Sequence, residues 1–166
     1  MNTVALYFFP LALAIAAFSD LLTMRISNRL VLVLTVGFFI VAMAVNLPLQ
    51  QFAMHVLCAL VVLAVAFGLF ALRWIGGGDA KLAAATTLWL GFGTTLPYLA
   101  YTALLGGVLT LFILILRGIP LNPLLARVGW LSRLHNKRSG VPYGIAMAVA
   151  GILVYSNSAI FARIVS

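Results

Sequence analysis

Acidic side chains are almost missing from this sequence. Its 166 residues hold ten Lys and Arg but only two acids, Asp20 and Asp79. Charged residues of both signs make up 7% of the chain, against about 25% in a soluble domain. Hydrophobic residues make up 65% and the mean hydropathy is +1.22, so there is too little polar surface to coat a soluble globule of 17.8 kDa. Cysteine is reduced to Cys58, inside an apolar run, which excludes an internal disulfide and a paired-cysteine zinc site and leaves an inert core thiol. The formal charge of +8 invites a nucleic-acid reading, but the cations are dispersed between apolar runs and no basic face carries interleaved aromatics, so no nucleic-acid partner is expected. No phosphate-binding loop, serine-nucleophile motif or metal-ligand cluster is present, so neither metal nor cofactor is expected.

What the chain does have is long apolar runs. They cover residues 4–24, 30–47, 52–72, 79–90, 96–116 and 141–162, and about 20 residues at 1.5 Å rise suffice to cross a hydrocarbon core. The first is not read as a signal peptide, because residues 1–3 carry no Lys or Arg and no small-residue cleavage site precedes a soluble domain. Residues 82–116 form 35 positions without a charge, too long for one upright span, and the turn-forming stretch 91–97 divides them. Nine of the ten cations then fall in the first, third and fifth connections. By the positive-inside rule those connections are cytoplasmic and both termini lie outside. The expected fold is an all-α integral membrane protein of about six transmembrane helices, forming a single transmembrane domain over residues 1–166. In the fifth connection Leu124, Val128, Leu131 and Leu134 recur at near-helical spacing among basic residues, as in an amphipathic helix lying on anionic lipid.

Acids inside apolar runs are rare and mark function, since a charge at the centre of a membrane costs on the order of 3 kcal/mol even on the lenient insertion scale. Asp20 precedes Arg25 by five residues, about 7 Å of helix inside the cytoplasmic end of the first span. Asp79 opens the fourth span at the same face, after Gly76-Gly77-Gly78 and two residues before Lys81. Two carboxylates sharing a site serve aspartyl proteolysis, one taking a proton from water while the other supports the substrate carbonyl oxygen. Glycines beside the acid let a substrate backbone approach. On dipole grounds Asp79, at a helix N-terminus, is the expected anion, and Asp20, near a helix C-terminal end, the expected protonated partner. Lys81 and Arg25 are read as helix-end anchors, with Lys81 near enough to bias the charge of Asp79. His55 is read as a satisfied packing residue and His135 as a solvated loop group. Gly144, Ala148 and Gly151, with Gly106 and Gly107, are read as small-residue helix contacts. Acids in membranes also mark ion paths, so a small proton- or ion-coupled transporter stands as an alternative, as does a catalytically silent assembly factor.

Gly76-Gly77-Gly78-Asp79-Ala80-Lys81-Leu82 resembles the GxGD signature of the type IV prepilin peptidases. Asp20 followed by Arg25-Ile26-Ser27-Asn28 resembles that family's first-aspartate motif, with Ser27 in place of a proline, and Pro142-Tyr143-Gly144 before the last span also fits. The resemblance extends over essentially the whole chain and is nearest to the short members that accompany Flp-type (tight-adherence) pili. It implies an aspartic endopeptidase of the bacterial inner membrane that removes the basic leader of a prepilin at the cytoplasmic face. The matching catalytic positions are Asp20 and Asp79, with Gly76, Gly77, Gly78 and Lys81 as motif residues. Longer relatives carry paired CxxC zinc motifs associated with N-methylation; this chain has one cysteine, so cleavage without methylation is expected.

Overall fold

A computed structural model of the protein describes residues 2–121, 127–137 and 139–165. Among these the chain is helical throughout, with no strand: α1 (Asn2–Thr23), α2 (Asn28–Ala44), α3 (Leu49–Ala71), α4 (Gly77–Leu90), α5 (Phe92–Gly118), α6 (Gly129–His135), α7 (Tyr143–Tyr155) and α8 (Ala159–Val165). Three helices, α1, α3 and α5, are long and apolar enough to cross a membrane. A fourth crossing is available if α7 and α8, bent by 54° at a short break, count as one. The outer surface carries Phe18, Leu60, Phe67, Leu104 and Ile115 well exposed, a dressing suited to lipid and not to water. This is a membrane protein.

The fourth apolar run gives the helix on which the others pack. Its sequence, GGDAKLAAATTLWL, is small or apolar on every face after Lys81, the pattern of a fully buried helix. Nine of its 14 residues are buried, so neighbours surround it: α3 on one side, α2 and α7 on others. At about 21 Å it is shorter than a hydrocarbon core, and its ends must therefore be satisfied inside protein. The indole N–H of Trp89 donates to the Leu34 carbonyl of α2 at 2.9 Å, and its ring lies among Phe8, Phe9 and Phe38 at centroid distances of 5.7, 5.1 and 5.8 Å. Of the last four carbonyls of α4, which no N–H within the helix can reach, three are met by groups beyond it. Thr87 O accepts from Gly91 N–H at 2.8 Å, Leu88 O from His55 Nδ1 at 2.8 Å and Leu90 O from the Thr94 hydroxyl at 2.7 Å. His55 is thus the satisfied packing residue expected of it.

Two boundaries differ from the sequence reading. The turn expected over 91–97 shrinks to Gly91 alone, whose φ of +68° reverses the chain in one residue. A Cβ there would lie 2.9 Å from the His55 ring. Residues 92–97 are helical because Thr94 and Thr95 turn their hydroxyls back onto the carbonyls of α4's end, and Pro97 is carried inside α5. The last run, expected as one span, breaks after Tyr155. There Ser158 caps α8, accepting from Phe161 N–H at 3.3 Å while donating to Tyr155 O at 2.7 Å.

At one end, residues of the first, third and fifth connections meet around a single cavity. At the other end Gln50 and Phe92, from the second and fourth, meet Asn157 around another. α3 reaches the first cavity through a Schellman close: Trp74 N–H bonds Leu69 O and Arg73 N–H bonds Phe70 O, with Arg73 at φ 63°. Of the basic amphipathic segment, Val128 is the extended residue that precedes α6. Leu124 lies outside the described residues, and α6 covers seven residues with Leu134 buried. Arg117, counted as a connection charge, is itself buried at the end of α5.

The charge distribution predicts that cysteines placed on a Cys58→Ala background at Ser132 and Gln50, both exposed, label from opposite sides. An impermeant maleimide applied to intact cells should reach Gln50→Cys and miss Ser132→Cys; equal labelling of both would overturn the alternation.

Candidate active site

The cavity at the basic end has a volume of about 1100 Å³ and is lined by both acids of the chain. Asp20 comes from the last turn of α1 and Asp79 from the first turn of α4, close enough for the charge of one to act on the other. Each is held by a backbone N–H. The Asp20 carboxylate, 5% exposed, accepts from Gly144 N–H in the first turn of α7 at 2.8 Å. Asp79 occupies the third helical position of α4 and folds back to accept from the N–H of the capping residue, Gly76. That is one half of the reciprocal arrangement known as a capping box. Both carboxylates therefore sit at positive helix ends. The dipole argument had placed Asp20 at a C-terminal end only; because α7 brings its own N-terminus to that side chain, the dipoles do not separate the two acids.

Space as well as hydrogen bonding fixes this seat. A Cβ on Gly144 would lie 2.8 Å from Asp20 Oδ2 and 3.0 Å from its Cβ, and a Cβ on Gly76 would lie 2.8 Å from Asp79 Oδ2. The three glycines of the signature have separate tasks. Gly76 makes room for the acid's return, Gly77 faces the Phe70 ring, and Gly78 lies against Ile26 of the first connection. All three also line the cavity.

The two motif segments are tied to each other. Lys81 Nζ donates to Asn28 Oδ1 at 3.1 Å, so its amine is turned to the Arg-Ile-Ser-Asn segment. Ser27, standing where the family motif has proline, caps α2 by accepting from Arg29 N–H at 3.2 Å, a contact worth about 1 kcal/mol. Of the small residues, Gly144, Ala148 and Gly151 do line the close faces of α7, with Leu13, Thr86 and Tyr98 against Gly151. Gly106 receives the Tyr143 ring, but Gly107 opens onto empty space and is not a contact. His135, expected to be solvated, ends α6 with its Nδ1 buried. Among the described residues no group of three His, Cys, Asp or Glu side chains could hold a metal ion.

Residues 7–111 match the type IV leader peptidase family. The chain belongs to that family. The match covers more than half of the sequence and contains Asp20, the glycine signature and Asp79. Comparison with curated proteins and with solved structures gives no match. The family indicates a peptidase acting on leader-bearing substrates, and the matched segment places both acids of this leader peptidase in its cavity. Sequence reasoning had not found the role of the last third. Gly144 stands in the sequence as a small residue at a helix contact and in the Pro142-Tyr143-Gly144 resemblance, neither of which gives it a bond to Asp20, and Arg73, Thr110 and Gly140 along the cavity wall carry no motif that would have marked them.

Adding a methyl group at either close approach displaces a carboxylate. Gly144→Ala and Gly76→Ala are each expected to lower peptidase activity by about 10²-fold, the cost of misplacing a reacting group by about an ångström. Membrane insertion should be retained. Initial rates of leader removal, normalised to inserted protein, provide the check.

Proposed function

We propose that this protein is an aspartic endopeptidase that removes the leader from Flp-like type IV prepilins at the cytoplasmic face of the bacterial inner membrane, without methylating the new N-terminus. The observation that carries this reading is the meeting of the chain's two acids in one cavity, at the end where the basic connections gather.

The chemistry follows from the pair. With one proton between them, the ionised carboxylate of Asp20 or Asp79 takes a proton from a water molecule. The water oxygen attacks the scissile carbonyl carbon, and the protonated partner gives its proton to the carbonyl oxygen. The tetrahedral diol then collapses: one of its hydroxyls returns a proton to the partner carboxylate as the C=O re-forms, the C–N bond breaks, and the departing amine takes up the proton from the carboxyl that gained one. The roles belong to the pair, since two interacting carboxyls titrate as one system. Gly76, Gly77 and Gly78 offer a wall without side chains along which an extended substrate backbone can lie. The substrate's own membrane segment stays in lipid beside the helices, and its basic leader meets anionic headgroups at the same face.

Ion-coupled transport fits less well. Transport sites lie near the bilayer midplane on broken helices, whereas these acids lie together at one end of the helices. The absence of methylation rests on the cysteine count, one in the whole chain. A zinc-bearing methyl-transfer region of the paired-CxxC type has nothing here to fold on.

Asp20→Asn and Asp79→Asn are each expected to abolish leader removal from a co-expressed prepilin while the variant remains inserted. Near-normal processing by either would sink the dyad. In a separate measurement, purified protein incubated with a cleavable prepilin and a methyl donor should yield a mature N-terminal peptide of unmodified mass. An added methyl group dependent on this protein alone would contradict the second half of the reading.

A further inference from the structure

A buried arginine without a carboxylate partner stands behind the Asp20 seat. Arg117, in the last turn of α5, is 9% exposed, and its guanidinium is spent on three backbone carbonyls. Nε donates to Leu134 O at 2.8 Å, and Nη2 to Ser139 O at 3.0 Å and Gly140 O at 2.8 Å. Leu134 is in α6 and Gly140 begins the approach to α7, so one side chain closes the connection between those helices. Gly140 and Val141 line the cavity, and four residues beyond Gly140 the N–H of Gly144 donates to Asp20. The link between is short and stiff. Pro142 fixes its own φ and restricts Val141 before it, and Tyr143 N–H bonds back to Val141 O at 2.8 Å. A displacement at Gly140 is therefore passed on to the Gly144 amide.

We propose that Arg117 is a positioning residue for the reaction: by fixing the carbonyls of Leu134, Ser139 and Gly140 it sets the register at which α7 presents the Gly144 N–H to Asp20. The inference rests on the peptidase reading above. Arg117 touches neither acid and acts through backbone alone. A planar fork of N–H donors can hold carbonyls on both sides of a turn, whereas an ammonium is a single point that cannot reproduce it. Charge at a helix C-terminus alone predicts that lysine suffices; positioning predicts that it does not.

The test compares wild type, Arg117→Lys, Gly144→Ala and the double variant, purified in detergent, on a synthetic peptide holding a prepilin leader and the start of its apolar segment. Hydrogen exchange of the segment carrying Gly144 is followed in parallel. Arg117→Lys should lower kcat by about tenfold or more, as expected of a displaced reacting group, with KM within about twofold, since binding is left alone. Exchange at the Gly144 amide should quicken. In the Gly144→Ala background the same change should cost far less, because the seat is already broken and the two effects are not independent. Arg117→Gln provides a second variant and should do at least as much damage. A wild-type kcat and unchanged exchange in Arg117→Lys would overturn the proposal, as would an equal loss of kcat in both backgrounds. Should wild type cleave no leader peptide, the peptidase reading falls and exchange alone decides: a quickened Gly144 amide in Arg117→Lys upholds the positioning role, and an unchanged one removes it.

Discussion

The burial of one short helix governs this structure. α4 cannot reach across a bilayer, and a helix end left in hydrocarbon exposes backbone groups that cost several kcal/mol each when unsatisfied. The surrounding helices are consequently arranged as suppliers of partners. His55 from α3 and Thr94 from α5 close its last carbonyls, α2 offers the Leu34 carbonyl to Trp89, and Gly91 turns the chain without spending a second residue. At the opposite end α4 starts below the rim of the fold, and its first turn carries Asp79. The same shortness that demands partners at one end thus recesses a carboxylate at the other, in a cavity that protein walls shape and that water and an extended peptide can enter.

The second acid is held from elsewhere. Asp20 closes α1, but its hydrogen-bond donor belongs to α7. The site is therefore assembled from the beginning, middle and late parts of the chain, and α7 must be in register before Asp20 is seated. Tyr143 against Gly106 and Thr86 against Gly151 set how near α7 approaches α5 and α4. Each contact depends on the missing side chain of a glycine, so the small-residue faces of α7 and α5 determine the position of a carboxylate that they do not themselves carry.

How much of this was legible in the sequence differs from element to element, for physical reasons. The apolar runs and the two misplaced acids are one-dimensional signals: the cost of a charge in hydrocarbon makes Asp20 and Asp79 conspicuous without any knowledge of packing. That the odd connections share one end follows from counting reversals, and the structure agrees. The break at Gly91 was placed correctly but drawn too long. Gly93 and Pro97 are helix breakers by propensity, and the hydroxyls of Thr94 and Thr95, closing the carbonyls of Leu90 and Gly91, support a helix that begins there. The break at Ser156 to Ser158 had a signal, the polar cluster Ser156-Asn157-Ser158, but the apolar residues on both sides let one span be drawn across it. Arg117 was counted as a topological charge; that its guanidinium would turn inward onto carbonyls depends on where α6 lies, and no spacing rule encodes that. Gly144 illustrates the intermediate case, a position whose smallness was visible and whose N–H was not.

The cations of this end complete the logic of the acids. Arg117 and Arg133 donate to backbone carbonyls, and Lys81 to an amide oxygen. An arginine or lysine paired directly with Asp20 or Asp79 would favour the ionised form strongly, and a carboxylate locked as an anion cannot take its turn as the acid. Each acid instead receives a backbone N–H at a helix start, which orients the carboxylate without placing a full opposite charge beside it. Arg117 and Arg133 therefore act as staples that fix backbone near the cavity, and Lys81 ties α4 to the first connection. In the proposed reaction two carboxyls share one proton and need rigid walls, and arginines turned onto backbone carbonyls supply rigidity without pairing with either acid.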